Sequence, residues 1–491
     1  MSGRIFKNRR VKRGKLILLV GTTVLLYILV SLTCNYDNTV IFTGDEWDYQ
    51  SIGVNTYYGS EFLTTGRIWE IDYYKFTDLD SGKLGFWESF SGKKAYHRVP
   101  FYPLFLSITY RIFGINPVIV KYIQLFVLLI SGLFLVLAGK IVWGNKGFWI
   151  GYLSFLLFTG LNYRFTEHLM PENWQFLFLA VIMVSLYFHF RSSLTYSAIL
   201  GLALGFSCLN KGTTFLLFPI IIAADLYNWK FKRRLHWKNM MVFCATFALI
   251  TGLWSVYISH EREQFTFLSA QTGEVLLDGN NEYCGDGLWH PEWRDRPDSF
   301  YNNDQLEKMP DFIRATNFYI KNPAHLSNFP AKLKAGFAPV GSFIALLCLY
   351  LIWLASIICR KSRRQDNRMR ISTGMTISLL LLCISICFAI FSGKLNAVLF
   401  FAFVSLIFLL AGFLAKKFTK EWGIPFEFLI ILLNFLIFTL VFYVCNETYP
   451  SRYVKTMDGL LILLSVRLLF DIIDNLKKVS LIYEEERAGE N

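Results

Sequence analysis

Apolar residues in this chain gather into long runs, many of them close to the roughly 20 residues that carry an α-helix across a bilayer. The first run, 16–33, follows a segment with seven Lys and Arg residues. A signal peptide would have a shorter apolar core and a small-residue cleavage site, so 16–33 reads as a retained first helix with a cytoplasmic N-terminus. Further spans follow at 117–138, 147–161, 171–190, 195–209, 213–227 and 240–258. A second series occupies 335–358, 371–391, 395–415, about 426–444 and about 456–470. Residues 101–114 are too short to cross and contain Pro103 and Arg111; they read as an interfacial helix on the outer face. The pattern predicts an all-α polytopic membrane protein with about twelve transmembrane helices.

Charge settles the threading. Only 17% of the 491 residues are charged and 54% are hydrophobic, against about 25% charged in an ordinary soluble protein. The net charge of +13 comes largely from short clusters at the N-terminus and in 230–238, 360–370 and 416–420. The twelve-span path puts every one of these on the cytoplasmic side, as the positive-inside rule requires. The excess charge is therefore an orientation signal, and nucleic acid is not expected as a partner. Two long connections are acidic instead: 34–100 holds ten acids against six Lys/Arg, and 259–334 holds twelve against eight. These become large extracytoplasmic loops. The chain thus divides into an N-terminal transmembrane module (1–258), a cap loop (259–334) and a C-terminal transmembrane module (335–491).

Ionisable residues at the outer membrane edge are costly and tend to mark functional cavities. The acids there are Asp45, Glu46, Asp48, Glu167 and Glu172; the bases are His97, Arg98, Lys121, Lys211, Lys394 and Arg452. Such a set suits one chemistry well: a carboxylate takes a proton from an acceptor hydroxyl while cations hold a departing phosphate. Plainer readings exist for each group. Asp45, Glu46 and Asp48 also fit a solvated loop, and the Asp45/Asp48 spacing also fits a divalent metal. Glu172, after Pro171, also fits a helix N-terminal stabiliser. The cations also fit snorkelling side chains, and His97 and His168 read as ordinary loop residues. Trp289 and Trp293 could line a sugar groove. Nine cysteines show no metal-ligand spacing; Cys34, Cys284 and Cys445 share the outer side, so a disulfide among them stays open. No GxGxxG, GxxxxGK[ST] or HExxH pattern occurs, which leaves nucleotide-cradling and zincin readings without support.

The order of these motifs resembles the GT-C superfamily of integral-membrane glycosyltransferases, particularly glycosyltransferase family 39, which includes protein O-mannosyltransferases and the aminoarabinose transferase of lipid A. The matching features are Asp45-Glu46 with Tyr49 after the first span, then "HRVPFYPLFLSITYRIFG" (97–114) and Lys121 early in the second span. "MPENW" with Glu172, "GLALGFSCLNK" with Lys211, and "SRY" with Arg452 and Tyr453 follow in order. Two departures stand out: the family's proline pair is spread to Pro100 and Pro103, and Lys121 replaces a frequent arginine.

The resemblance implies a GT-C-type fold and transfer of a sugar from a polyprenyl-phosphate donor to an acceptor hydroxyl or phosphate, by inverting general-base catalysis. It implies Asp45, Glu46 and Glu172 as catalytic acids and Arg98, Lys121, Lys211 and Arg452 as donor-phosphate ligands. Asp48, Tyr49, Glu167 and Tyr453 would contact substrate. No metal and no cofactor are implied beyond the lipid-linked donor. The partners are that donor, membrane lipid and a glycan, lipid or protein acceptor of the cell envelope, lipopolysaccharide included. The expected location is the cytoplasmic membrane, with the active site facing the periplasm or exterior. The rival readings are a secondary transporter or lipid flippase, and a non-catalytic scaffold for envelope glycan assembly. Related halves and broken midplane helices would mark a transporter, and the sequence shows neither.

Overall fold

The computed structural model describes residues 2–34, 36, 39–41, 45–57, 63–64, 73–75, 93–94, 98–232, 237–263, 265–269, 321 and 458–489. The expected spans between 335 and 444 lie outside these residues, as do His97, Lys394, Arg452, Tyr453, Cys284, Cys445, Trp289 and Trp293. Among the described residues, Arg13–Thr33, Pro117–Glu167 and Trp237–Glu261 are long and apolar enough to cross a membrane, and Leu194–Asn210 and Thr214–Leu226 are shorter apolar helices. The chain is a multi-pass membrane protein. It divides into two compact units, the first Met1–Val184, Gly201–Gly212 and Thr246–Leu268, the second Ser185–Leu200, Thr213–Ala245 and Ser269–Asn491. Three of its cut points, after Val184, Leu200 and Ala245, fall inside α-helices.

In the first unit, α1 (Ser2–Thr33) carries the first apolar run. Leu16, Ile17, Val24 and Leu32 are exposed on it, a surface that lipid rather than water would cover. The 34–100 connection is not an open loop. It contains α2 (Asp45–Tyr57) and two short antiparallel strand pairs, β1 (Thr39–Ile41) with β3 (Tyr73–Lys75) and β2 (Leu63–Thr64) with β4 (Lys93–Lys94). β-branched and aromatic residues in "TVI" and "YYK" favour extended backbone. These strands qualify the all-α expectation. The interfacial segment forms α3 (Phe101–Phe113), with Tyr102, Leu106 and Tyr110 buried and Leu104, Ile108 and Ile112 exposed.

α4 (Pro117–Asn162) begins with Asn116 as N-cap, its side chain accepting from Val118 N at 3.0 Å, and with Pro117 in the first turn. It covers the expected second and third spans, separated at Gly144, whose φ of 65° and ψ of −134° interrupt the helix. A positive φ there is strained for any other residue type. The chain reverses at this point. A Cβ on Gly147 would strike the Gly139 carbonyl, and one on Gly151 would strike the Val136 backbone. The two halves therefore run antiparallel with their backbones in close contact, an approach only glycine permits.

α1 runs parallel to the second half of α4. Lys15 Nζ reaches Asn145 Oδ1 at 3.5 Å, Thr22 meets Tyr152 at 2.7 Å, and Tyr36 meets Thr166 at 2.6 Å, each pair 130 positions apart. One end of the unit thus holds Lys15 and the Gly144 turn. The other holds Cys34, Tyr36 and the short 3-10 helix Tyr163–Glu167. Buried Val30, Leu125, Leu129, Val136 and Phe155 pack between them. A second cluster, Tyr49, Val54, Tyr102, Leu106, Tyr110 and Leu169, joins α2 and α3 to the start of α4.

α5 (Glu172–His189), α6 (Leu194–Asn210), α7 (Leu217–Lys232) and α8 (Trp237–Arg262) follow the expected fourth to seventh spans to within a few residues. Within the second unit, buried His189 bonds Ser197 Oγ through Nδ1 at 2.8 Å and Asp225 Oδ2 through Nε2 at 3.1 Å. Asn239 Nδ2 donates to the His189 carbonyl at 3.3 Å. This cluster ties together the end of α5, the start of α6, α7 and the start of α8. α9 (Asp458–Gly489) begins within the expected last span and continues well beyond it.

Candidate active site

Asp45, Glu46 and Asp48 all lie in the first turn of α2. Carboxylates are favoured there because the peptide dipoles leave a partial positive charge at a helix N-terminus. Asp45 and Asp48, three residues apart, share a face. Both accept from Arg98 Nη2, at 2.5 and 2.6 Å. Arg98 also lies against Tyr49, with Cζ 5.1 Å from the ring centroid, and Tyr49 meets Tyr102 edge-on at 5.3 Å. Burial works against the guanidinium charge, but the Asp45 carboxylate, aided by Asp48, outweighs it and holds the Arg98 pKa well above the usual arginine value. Arg98 and Asp48 are almost sealed, whereas the Asp45 side chain is 25% exposed. Asp45 is the member of this trio that an entering group can reach.

Glu46 turns away from that trio. Its Oε1 accepts from Leu169 N at 2.8 Å, and Oε2 lies 3.4 Å from His168 Nδ1. The second contact lacks hydrogen-bond geometry, so it is an ion-pair contact. A polar chain fixes the surrounding backbone: Tyr102 Oη donates to Gln124 Oε1 at 2.7 Å, and Gln124 Nε2 donates to the His168 carbonyl at 2.8 Å. Tyr110 Oη donates to Gln50 Oε1 at 2.5 Å. Lys121, one turn before Gln124 on α4, is buried close enough for its charge to act on His168.

Glu172, the first residue of α5, is fully buried and accepts from Lys211 Nζ at 3.2 Å. Beside this pair, Asn210 Nδ2 donates to the Pro171 carbonyl and to Gln175 Oε1, both at 3.0 Å. Gln175 Nε2 donates to Ser207 Oγ at 2.8 Å. The start of α5 and the end of α6 are stapled by polar bonds in an apolar setting.

The structure therefore brings Asp45, Asp48, Tyr49 and Arg98 together, and separately Glu172 with Lys211. Arg98 and Lys211, expected at a donor phosphate, each close on carboxylates. Glu167 lies beside Cys34 and Tyr36, at the end of α1. Cys34 is a buried thiol 4.0 Å from Thr166 Oγ1. Among the described residues no three His, Cys, Asp or Glu side chains are grouped to hold a metal, and the Asp45/Asp48 carboxylates converge on Arg98. Sequence reading missed Gln124 and undervalued His168. An amide three residues after Lys121 in an apolar span was the available signal for Gln124.

No protein-family model and no curated protein matches the chain. Among solved structures it is similar to ArnT from Cupriavidus metallidurans bound to undecaprenyl phosphate, with 12% identity, 93% of this chain and 78% of that one covered, and a TM-score of 0.38. It is also similar to the Archaeoglobus fulgidus oligosaccharyltransferase tethered through a disulfide to an acceptor peptide containing the NVT sequon. There identity is 14%, coverage 90% of this chain and TM-score 0.37, and this chain spans about half (55%) of the oligosaccharyltransferase's length. Likenesses at these scores assign no family.

Proposed function

We propose that the protein transfers a sugar from a polyprenyl-phosphate-linked donor to an acceptor hydroxyl or phosphate at the outer face of the cytoplasmic membrane. The observation that carries this reading is Asp45: a partly exposed carboxylate fixed by a buried arginine at one end of a bundle of apolar helices. The opposite end holds Lys15 and the Gly144 turn, which the positive-inside rule puts in the cytoplasm. The order of motifs along the sequence supports the same reading.

For an acceptor hydroxyl, Asp45 takes its proton, the oxygen attacks the anomeric carbon, and the bond from that carbon to the phosphate oxygen breaks. The electron pair leaves with polyprenyl phosphate, and the anomeric configuration inverts. Arg98 and Asp48 hold Asp45 in place, with Tyr49 packed on the guanidinium. Lys121 takes the phosphate; the order of motifs alone assigns Arg452 and Tyr453, which lie outside the described residues, to the donor, while Arg98 and Lys211 stay closed on their carboxylate partners. Glu46 and Glu172 act by positioning cations, and Glu167 borders the acceptor side. No metal or cofactor enters the scheme.

The test is an assay of purified protein with polyprenyl-phosphate sugars, following release of polyprenyl phosphate. Release that depends on an acceptor supports the proposal. A protein that moves the intact lipid-linked sugar between leaflets without cleaving it is a flippase, and the proposal fails.

A further inference from the structure

His168 directly follows the 3-10 helix Tyr163–Glu167, and both its backbone and its ring are held. Its carbonyl accepts from Gln124 Nε2 at 2.8 Å, and Gln124 is in turn held by Tyr102. Its Nδ1 lies 3.4 Å from Glu46 Oε2, while the other Glu46 oxygen is fixed by the Leu169 N–H. The His168 side chain is nevertheless 45% exposed, against 4% for Arg98 and 9% for Lys211. Those two cations are closed onto carboxylates. His168 has one face on Glu46 and the other open, and no described residue hydrogen-bonds its Nε2.

The charged groups acting on the ring are Glu46 of α2, Glu167 of the preceding turn and Lys121 of α4. The Glu46 contact outweighs burial and the Lys121 charge, and raises the imidazole pKa above its ordinary value. A buried carboxylate that nearly reaches a half-exposed imidazole orients that imidazole and favours its charged form.

We propose that His168 is a further ligand-contacting residue of this site, its ring fixed through Nδ1 by Glu46 and its Nε2–H offered to an anionic oxygen of the donor's lipid phosphate. The proposal rests on the lipid-phosphate reading above and adds a residue to it. As the bond from the anomeric carbon to the phosphate oxygen breaks, negative charge grows on the phosphate. A charged N–H donor strengthens as it does so. His168 keeps its proton; the acceptor's proton goes to Asp45.

The test is equilibrium binding of the methyl diester of a short polyprenyl phosphate to the full-length protein in detergent, as a function of pH. The diester's charge is constant through the neutral range, so a pH step in affinity belongs to the protein. Wild type should bind best on the acid side and weaken as pH rises through the His168 pKa. His168→Gln should lose roughly tenfold on the acid side and lose the step. His168→Arg should keep acid-side affinity at every pH, which also shows that the fold tolerates replacement. His168→Gln with wild-type affinity and a wild-type pH step would overturn the proposal. Wild-type protein that binds no lipid phosphodiester at any pH overturns the functional reading, and this proposal with it.

Discussion

Two buried ion pairs in the first unit look alike on paper and differ in what they leave open. Asp45–Arg98 and Glu172–Lys211 each join a carboxylate in the first turn of a helix to a distant cation, at 2.5 and 3.2 Å. Glu172 is sealed, and its pair sits among Asn210, Gln175 and Ser207 bonds that staple α5 to α6. Asp45 keeps a quarter of its side chain exposed, and a second carboxylate, Asp48, shares its arginine. Two acids on one guanidinium neutralise it and leave an acid oxygen at the surface. One acid on one lysine closes the account of both charges. On the function proposed above, the first arrangement does chemistry on a ligand and the second staples helices.

The largest effect should come from opening the first pair. Asp45→Asn keeps size and most hydrogen bonding but cannot accept a proton. General-base catalysis supplies roughly 10²–10⁴-fold, so turnover should fall by about that factor while donor binding changes little. Steady-state rates with a separate binding measurement check this; undiminished turnover would show that another group takes the proton.

Breaking the second pair should cost stability instead. Lys211→Met leaves the Glu172 charge buried, at about 3–5 kcal/mol, visible as a lower Tm in detergent. Adding Glu172→Gln removes the stranded charge and should recover most of that loss, as a double-mutant cycle on Tm would show. Next in size, Lys121→Ala should weaken donor binding by about tenfold, the worth of a charge-assisted hydrogen bond, with turnover at saturating donor less affected. Binding unchanged by that substitution would remove Lys121 from the phosphate.

The pH dependence is smaller. Because the folded His168 pKa lies above the ordinary 6.5, stability from the Glu46 contact is full below about 6.5 and is lost as pH rises through the raised value. Glu46→Gln should abolish that part of the Tm-versus-pH curve. An unchanged curve would mean that another group titrates. Chelation by EDTA should have no effect on turnover, since the Asp45 and Asp48 carboxylates already converge on Arg98; a loss restored by Mg²⁺ would give them a ligand role.

The helices α3 to α8 were legible in the sequence because lipid selects for long apolar runs; the Asn116 cap ahead of Pro117 was a further signal that the sequence reading did not use. Asp45 was legible as a lone acid cluster at a membrane edge. Its partner's role was not: Arg98 stands 53 positions away, and nothing local says whether such a cation meets phosphate or carboxylate. The same holds for Glu172 and Lys211, 39 positions apart. α2 was within reach, since three acids in a first turn are a helix-start signal. The strand pairs were not, because their two- and three-residue segments carry no periodicity. His168 read as an ordinary loop residue because its setting comes from Glu46, 122 residues earlier in the chain.

The contrast between the two pairs reduces to one comparison in the polyprenyl-phosphate release assay, run on matched amounts of folded protein. Asp45→Asn is set beside the neutral double variant Glu172→Gln/Lys211→Met, with wild type as reference. The expected result is a loss of about two orders of magnitude or more for Asp45→Asn and turnover near wild type for the double variant. Near-normal release by Asp45→Asn, with release abolished in the double variant, would put the chemistry at the pair named here as the staple.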